Sequence, residues 1–214
     1  MRQHVNPLSQ FFQRPLALPS KSRLFRNSQN PIHLDIGSAK GEFLIELALK
    51  YPSWNFLGLE IREPMVSLSE RKRTKLELDN LKFLFCNVNV SLEEWLSDLD
   101  NDQLRRVTLQ FPDPWFKRKH FKRRVLKTSL LNSISRYMSK DGELFIQSDI
   151  LKLIESMTNI IDNSNYFYRK DSQGLKWLDK NPYNAFTERE LFVIKQKLPV
   201  YRAMYIRNST LFMN

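Results

Sequence analysis

An acidic residue held between two prolines is the part of this chain that points most clearly to chemistry. Asp113 lies in residues 112–115 (Pro-Asp-Pro-Trp), directly after the apolar run 107–111. Both prolines restrict the backbone around the carboxylate. Because ligands bind at the carboxyl ends of strands in open α/β sheets, a strand that ends here would place Asp113 at a binding site. An ordinary turn aspartate is the alternative interpretation, since Pro-Asp-Pro is a good loop sequence.

The residues that follow Asp113 carry a high density of positive charge. Seven Lys or Arg residues and one His lie within the eleven positions 117–127, which we call the basic segment. The whole chain has 34 Lys and Arg against 23 Asp and Glu, a net charge of +11. A concentrated positive field collects polyanions, and contacts of this type go mainly to phosphates. A carboxylate turn beside the basic segment therefore predicts chemistry on nucleic acid.

A second candidate site follows the first strand-like run, residues 32–36. Gly37 and Gly41 come directly after this run and allow the backbone to turn tightly and approach a ligand at the start of a helix. Their spacing, with Ala39 between them, is not the G-x-G-x-x-G pattern of dinucleotide-binding dehydrogenases. A glycine pair after a strand is weak support for a ligand loop when it stands alone.

Polar residues at further strand ends strengthen the prediction of a ligand site. Glu60 ends the second strand and could accept hydrogen bonds from both hydroxyls of a bound adenosine ribose, or form a surface ion pair with Arg62. Asn87 follows the third strand and could bind the adenine edge or cap the strand. Four strand ends thus present polar groups for one ligand: Asp35 with Gly37, Glu60, Asn87 and Asp113.

The alternation of apolar runs predicts the fold that positions these residues. Strand-like runs alternate with helix-like spacing, which favours right-handed βαβ units and a doubly wound, mostly parallel sheet in a single α/β domain. Strands are predicted at residues 32–36, 55–61, 82–87, 106–111, 143–148 and 201–207. Helices are predicted at residues 41–50, 64–78, 92–96, 126–137 and 151–162. Residues 166–196 are not assigned to an element.

Composition bounds the remaining possibilities. A length of 214 residues suits one α/β domain, predicted at residues 31–214 after a flexible basic arm at residues 1–30. The one cysteine, Cys86, cannot form an internal disulfide and lacks the neighbours of a zinc site, so no metal is expected. No run approaches membrane-spanning length and no secretory signal is visible, so the expected location is cytoplasmic.

The motifs resemble those of the bacterial tRNA (guanine-N7-)-methyltransferases. The resemblance rests on residues 35–41 (Asp-x-Gly-x-x-x-Gly), Glu60, residues 111–115 with the basic segment, residues 148–149 (Ser-Asp) and residues 187–190 (Thr-Glu-Arg-Glu). It extends from residue 32 to about residue 207. The glycine loop is common to many S-adenosylmethionine enzymes, whereas the Asp-Pro-Trp segment is more specific. Ala39 stands where the family usually has glycine, and Asn87 stands where Asp is commoner.

The resemblance implies a seven-stranded Rossmann-like methyltransferase sheet, S-adenosylmethionine as donor and a variable-loop guanine of tRNA as acceptor. It places the donor at Asp35, Gly37, Gly41, Glu60, Asn87 and Asp113. It assigns Asp113 as catalytic. It assigns substrate contacts to Lys117, Asp149, Thr187, Glu188, Arg189 and Glu190, and RNA contacts to Lys119, His120, Phe121, Lys122, Arg123 and Arg124. The enzyme is expected as a monomer or homodimer without an obligate protein partner.

The predicted reaction needs no general base, because guanine N7 carries an exposed lone pair and no proton. Asp113 would instead stabilise the positive charge that develops on the guanine ring. Two other functions stay open. An exocyclic-amine methyltransferase has a D/N-P-P-Y/F loop that resembles Pro-Asp-Pro-Trp, and a non-catalytic RNA-binding protein could keep the fold without binding the donor.

Several residues also have a structural interpretation. Trp115 could stack on the target base or fill the core beneath the loop. His120 could contact RNA or simply be solvated. Thr187 has the spacing of a helix N-cap with Glu190 as its third helical residue, and that role is compatible with a functional one.

Overall fold

Seven strands form one sheet in the computed structural model, which describes residues 5–170 and 174–208. The strands are β1 (Ile32–Ile36), β2 (Asn55–Glu60), β3 (Leu81–Phe85), β4 (Leu104–Gln110), β5 (Met138–Ser148), β6 (Phe167–Arg169) and β7 (Tyr201–Arg207). Their order is β3-β2-β1-β4-β5-β7-β6. Strands β1 to β5 run parallel, and β7 is antiparallel to both β5 and β6. The predicted mostly parallel, seven-stranded sheet is confirmed.

Helices connect the strands and cover the sheet. They are α1 (Lys21–Leu24), α2 (Glu42–Lys50), α3 (Glu63–Lys75), α4 (Val88–Ser97), α5 (Thr128–Tyr137), α6 (Leu151–Asp162) and α7 (Glu188–Lys195). Short 3-10 helices occur at Gln10–Gln13 and Arg118–Arg123. Strand β6 and helix α7 lie in the segment that the sequence left unassigned. Within the described part of the chain, no helix has the length and apolar character needed to span a membrane.

The strands are buried on both faces, as expected of a parallel sheet between helical layers. On β2, Leu57 and Leu59 belong to one hydrophobic cluster, whereas Phe56 belongs to a second cluster. The same alternation occurs on β5, where Leu144 and Phe145 lie in different clusters. The side-chain period of two thus sends successive residues to opposite sides of the sheet. The two hydrophobic clusters therefore pack on opposite faces of the sheet, and the polar site residues lie at the strand ends.

The strand order reverses between β1 and β4, which are neighbours in the sheet although β2 and β3 come between them in the chain. Such a switch point leaves a crevice at the carboxyl ends of the strands, because the connections leave in opposite directions. Residues 35–41, Glu60, Asn87 and Asp113 all lie at or directly after these ends. The topology therefore brings together the residues that the sequence placed at separate strand ends.

The described part of the predicted arm, residues 5–30, lies against the domain rather than projecting from it. Phe25 is buried in the larger core cluster. The indole Nε1 of Trp95 donates to the Pro19 carbonyl oxygen at 3.0 Å, and Leu16 N donates to Ser91 Oγ at 3.0 Å. Backbone groups of the arm thus form hydrogen bonds with side chains of α4, and an apolar side chain of the arm packs into the core. The division of the chain at residue 30 stays a prediction.

Candidate active site

An open cleft lies at the carboxyl ends of β1 to β4, with about 880 Å³ of empty space that includes open solvent. Its walls include six of the predicted site residues: Gly37, Glu60, Asn87, Asp113, Arg123 and Arg124. Arg62, Trp115 and Lys127 also line it, as do Pro7 and Leu8 of the arm. One cleft therefore contains residues predicted for the donor site and residues predicted for RNA contact.

The glycine loop leaves room on the cleft side. Gly37 has φ 82°, and a Cβ added to it would meet no atom within 4 Å. Gly41 has φ 79°, and a Cβ there would lie 2.4 Å from Phe83 Cζ, so this glycine is required by packing as well as by conformation. Ala39 takes the left-handed conformation at φ 47°, and its N–H donates to Glu60 Oε2 at 3.0 Å. The turn thus forms even though alanine replaces the usual glycine.

Glu60 is buried at the end of β2 and is fully engaged by its neighbours. Arg62 donates from Nε to Glu60 Oε1 at 3.0 Å and from Nη2 to Oε2 at 2.9 Å. The Arg62 backbone N–H adds a 3.0 Å bond to Oε1. The predicted ion pair with Arg62 is therefore present, although Glu60 is not the surface residue that this alternative assumed. A planar guanidinium suits this two-point contact with a carboxylate.

Asp35 lies directly beneath the glycine loop, at the end of β1, and does not itself line the cleft. Its Oδ1 accepts from Thr108 Oγ1 at 2.6 Å and from Gln110 Nε2 at 3.3 Å. Burial raises the pKa of Asp35 to about 6, although these two hydrogen bonds lower it and the Glu60 charge raises it further. Asp35 therefore changes its charge near pH 6, unlike an exposed aspartate.

The neighbouring His33 stays neutral. Burial, and secondarily the positive charge of Arg106, lowers its pKa well below the ordinary value for histidine. Its Nε2 lies 3.2 Å from Thr108 Oγ1, and that hydroxyl uses its own hydrogen on Asp35. His33 therefore donates from Nε2, and Nδ1 is the buried nitrogen that has no hydrogen-bond partner.

Asn87 caps α4 and also fastens the arm over the cleft. Its Oδ1 accepts from Asn89 N at 3.2 Å, a standard N-cap contact. Its Nδ2 donates to the carbonyl oxygens of Pro7 at 3.1 Å and Phe12 at 3.0 Å. Both amide hydrogens are thus used by the arm, and the capping interpretation matches the geometry, at a helix rather than at a strand. A contact between Asn87 and adenine stays a prediction.

The Asp113 turn is held in a defined conformation. Phe111 before it and Trp115 after it both have left-handed backbones, with φ 47° and 44°. Non-glycine residues keep such angles only where the surroundings enforce them. The Asp113 charge reaches Arg62, whose pKa is raised first by its hydrogen bond to Glu60 and also by the charges of Glu60 and Asp113. Arg62 therefore links the two carboxylates that line the cleft.

The basic segment divides into exposed and anchored residues. Lys117, Lys119 and Lys122 are exposed to solvent. In contrast, Arg124 donates from Nε to the Pro114 carbonyl oxygen at 3.0 Å and from Nη1 to Ser156 Oγ at 3.1 Å. Arg124 thus ties the Asp113 turn to α6 and is not free to follow a phosphate backbone, so its predicted RNA contact has a structural competitor.

Arg123 and His120 pack around Trp115. The Arg123 guanidinium lies 5.0 Å from the centroid of the indole ring, and the His120 ring meets the indole edge-on at 5.7 Å. Phe121 is partly exposed and has the Arg124 guanidinium 3.8 Å from its ring centroid. Trp115 is therefore half-buried between Arg123 and His120, and it lines the cleft.

Comparisons with known proteins identify the family of this chain. A family model described as "Putative methyltransferase" matches residues 29–203. The chain is 74% identical to a tRNA (guanine-N(7)-)-methyltransferase of Prochlorococcus marinus (strain NATL1A), over the full length of both. It is 56% identical to the protein of that name from strain MIT 9313, over 98% of this chain and 89% of the relative. The chain belongs to the tRNA (guanine-N(7)-)-methyltransferase family. The family predicted from the sequence is confirmed.

A solved structure supports the fold of this methyltransferase. The precorrin-6y C5,15-methyltransferase of Geobacter metallireducens GS-15 superimposes with a TM-score of 0.52, covering 87% of this chain and 85% of that chain. The two sequences are 16% identical, so the likeness concerns the fold alone.

Apart from Lys117 in the basic segment, the methyltransferase's predicted substrate residues lie directly after β5 and at the start of α7. Arg189 forms an ion pair with Asp149, which follows β5. Glu188 pairs with Lys40 of the glycine loop at 2.8 Å. Thr187 Oγ1 accepts from Glu190 N at 3.1 Å, so the predicted N-cap is confirmed. Helix α7 is thus attached at its start to the loops after β1 and β5.

Glu190 differs from the other predicted substrate residues because it is completely buried. Its Oε1 accepts from Arg202 Nη2 at 2.8 Å, and its Oε2 accepts from Gln147 Nε2 and from Asn181 Nδ2, both at 2.9 Å. In this arrangement no acceptor of Glu190 faces the cleft. Protein donors satisfy the carboxylate, and its direct contact with substrate stays a prediction from the motif.

Sequence reasoning missed the residues that support these acids. Gln110, Gln147 and Arg202 hold Asp35 and Glu190 but belong to no motif that we singled out. A signal was present, since each is a polar residue inside an otherwise apolar strand run, and such residues are rarely buried without a partner. Their partners lie on distant strands, which the sequence does not identify.

Proposed function

We propose that this protein transfers a methyl group from S-adenosylmethionine to N7 of a guanine in the variable loop of tRNA. The observation that carries the proposal is the meeting of Glu60, Asp113 and the basic segment on one cleft, in a chain of this family. Donor and acceptor functions occupy adjoining walls of that cleft. The product is N7-methylguanosine in tRNA.

The residues present fit the donor. The open space beside Gly37 admits a ligand against the backbone. The Glu60 carboxylate would accept from ribose hydroxyls in place of donors that Ala39 and Arg62 supply in this structure. When bound, S-adenosylmethionine supplies an electrophilic methyl group on a positively charged sulfur. Asp35, Glu60 and Asp113 provide negative charge around the cleft, which favours a cationic ligand.

Asp113 would orient the guanine and stabilise its developing charge. The carboxylate can accept from the guanine N1–H and amino group, which holds N7 in line with the methyl group. Positive charge appears on the ring during transfer, and a fixed carboxylate nearby lowers the free energy of that state. Pro112, Pro114 and the anchored Arg124 keep the Asp113 turn in place before the substrate arrives.

The exposed cations of the basic segment would bind the tRNA backbone. Lys119 and Lys122 project into solvent beside the cleft, where they can neutralise phosphates. Such contacts position the nucleic acid without reading its sequence. The choice of the target guanine must therefore come from the cleft and from the folded shape of the tRNA.

The test is methyl transfer from labelled S-adenosylmethionine into tRNA that lacks this modification, followed by digestion and mass analysis. We expect label in N7-methylguanosine, and none in a matched tRNA whose variable-loop guanine is replaced by adenine. Label on an exocyclic amine would favour the alternative enzyme class. Donor binding by calorimetry separates both from a non-catalytic RNA-binding protein, which would bind tRNA but not the donor.

We further propose that the enzyme acts in the cytoplasm, where bacterial tRNA is modified, and works as a monomer or homodimer. Light scattering of the purified protein with and without tRNA measures its oligomeric state. A larger assembly, or a requirement for a second protein subunit in the methylation assay, would contradict the second part of the proposal.

A further inference from the structure

A continuous chain of hydrogen bonds runs from β1 to β7 along the base of the cleft, where Gln110 is one of the lining residues. Gln110 Nε2 donates to Asp35 Oδ1 at 3.3 Å, and Gln110 Oε1 accepts from Gln147 Nε2 at 2.7 Å. The same Gln147 amide donates to Glu190 Oε2 at 2.9 Å. Arg202 completes the chain, donating from Nε to Gln147 Oε1 at 3.2 Å and to Glu190 Oε1 at 3.1 Å. We call these five residues the polar relay.

The sheet register explains why these side chains meet. Gln110 is the Cα partner of Gln147 across β4 and β5, and Gln147 is the Cα partner of Arg202 across β5 and β7. Asp35 pairs with Thr108, two residues before Gln110 on the same face of β4. The polar relay is therefore a ladder of cross-strand neighbours, in which each side chain lies within reach of the next.

The two carboxylates fix the orientation of both glutamines. Asp35 and Glu190 can only accept when ionised, so Gln110 and Gln147 must turn their amide NH₂ groups toward them. The Gln110 carbonyl oxygen then faces the second Gln147 hydrogen, and the Gln147 carbonyl oxygen faces Arg202. Reversing either amide would place oxygen against oxygen. The polar relay thus has one internally consistent arrangement.

Because the polar relay is buried, substitution of one member should be costly for the others. Gln147 and Glu190 have no exposed surface, and Asp35, Gln110 and Arg202 are nearly as well covered. A buried polar group that loses its partner keeps its desolvation penalty. Apolar side chains would fill these strand positions without that penalty, so the polar relay is better explained by the site at its two ends than by packing.

We propose that Gln110 and Gln147 are positioning residues that hold the two sides of the active site in register. Gln110 orients Asp35 beneath the glycine loop. Gln147 fixes Glu190 and, through it, the start of α7, where Thr187, Glu188 and Arg189 are predicted to contact the tRNA. The second half of this inference rests on the proposed function, because it assumes that tRNA binds at that side.

The groups around Asp35 give the inference a measurable signature. Glu60 faces it with negative charge, neutral His33 touches it through Thr108, and Gln110 donates to it. Removing the Gln110 donor therefore favours the protonated carboxyl, and the pH at which Asp35 ionises moves upward. Glu190 lies on the far side of both glutamines and reaches Asp35 only through them.

The experiment measures donor affinity by calorimetry from pH 5 to pH 8 in wild type, Gln110→Met and Gln110→Glu. Methionine keeps the volume but cannot donate, whereas an ionised glutamate adds repulsion. We expect the midpoint of the pH profile to rise from wild type to Gln110→Met to Gln110→Glu. At pH 6 the Met variant should bind the donor about threefold more weakly, with recovery at pH 8.

A second variant separates the two sides. Gln147→Met should raise KM for tRNA about fivefold, while donor affinity at pH 8 changes less than twofold. Gln103→Met is the matched control, because Gln103 is a buried glutamine that bonds Ser28 and Asn30 away from the cleft. We expect the control to lower the melting temperature without moving the pH midpoint or KM.

Three identical pH midpoints in folded proteins would overturn the proposal, as would equal effects of Gln110→Met and Gln147→Met on donor and tRNA. Circular dichroism at each pH confirms that the variants are folded. If Gln147→Met does not fold, Gln147→His keeps a donor at this position and takes its place. The donor titrations need no tRNA, so a failure of the proposed function would leave the Gln110 test intact.

Discussion

Asp35 and Glu60, on the proposed donor side of the cleft, are 4% and 3% exposed, whereas Lys119 and Lys122 of the basic segment project into solvent. The two acids are surrounded by protein donors at 2.6 to 3.3 Å. The exposed lysines are instead available to an external partner. The acids are thus satisfied within the fold, whereas under the proposed function the exposed lysines find their partners in the tRNA.

This difference follows from how charge behaves in the two environments. A buried carboxylate must be paired within the protein, since its desolvation is not otherwise compensated. An exposed ammonium keeps its water and is screened by salt, and when it neutralises a phosphate it releases counterions condensed on the nucleic acid. Substitutions on the donor side should therefore produce large effects that are insensitive to salt, and substitutions in the basic segment should produce small effects that depend on salt.

The largest effect is expected for Asp113→Ala. Removing a fixed group that stabilises developing charge should lower kcat by about 100-fold or more, while tRNA affinity changes less than twofold. Single-turnover methylation and filter binding measure the two quantities, with the exposed Asp79→Ala as control. An equal loss of tRNA affinity would show that Asp113 is a binding residue and not a catalytic one.

Glu60→Gln should mainly weaken the binding of S-adenosylmethionine. The substitution keeps the size of the side chain but removes a charge-assisted acceptor and leaves Arg62 without its ion pair. We expect the Kd of S-adenosylmethionine, measured by calorimetry, to rise about 10- to 100-fold. The ratio of the Kd of the variant to the Kd of wild type should stay nearly constant when the salt concentration is changed from 50 to 300 mM. A donor affinity equal to that of wild type would remove Glu60 from the donor site.

Donor affinity should also depend on pH through Asp35. Its pKa is about 6 in the free protein, and a cationic donor favours the ionised carboxylate. Affinity should therefore be full above pH 7 and fall as the pH drops through 6, by about tenfold between pH 7 and pH 5. Calorimetry across this range should give a flat profile for Asp35→Asn. The same slope in that variant would assign the titration to another group.

The smallest effects are expected in the basic segment. Lys119→Ala and Lys122→Ala should each weaken tRNA binding a few-fold and reduce the slope of log K against log salt by about 0.7 to 0.9. Arg124→Ala should instead lower the melting temperature, because it breaks the contacts with Pro114 and Ser156. Lys140→Ala, at an exposed position of β5, is the control. Unchanged salt slopes for both lysine variants would exclude these residues from the RNA interface.

Much of the fold and of the candidate site could be predicted from the sequence, because the residue patterns that indicate them are local. The glycine loop, Glu60 and the Asp113 turn each follow a strand run within a few residues, and parallel strands bring their ends together. The cap formed by Thr187 is local as well, and the sequence predicts it. Strand β6 has only three residues, too few for its pattern to be recognised.

The remainder depends on contacts between distant parts of the chain. Seven cations look equivalent in the basic segment, and only the fold shows that Arg124 is anchored while Lys122 is exposed. The motif predicts that Glu190 contacts substrate, but only the fold shows that Arg202 and Gln147, on neighbouring strands, donate hydrogen bonds to its carboxylate. Sequence patterns identify residues capable of chemistry, and tertiary contacts decide how each one is used.

The attachment of the arm has a consequence for the order of folding. Pro7 and Phe12 meet Asn87 across 80 and 75 residues of chain, and Pro19 meets Trp95 across 76. Closing loops of this length costs entropy that is recovered only once β3 and α4 have formed. The arm is synthesised before the sheet and is thus among the last parts of the chain to dock. During refolding, the wall that Pro7 and Leu8 give to the cleft should form after the sheet, so donor binding should recover later than secondary structure.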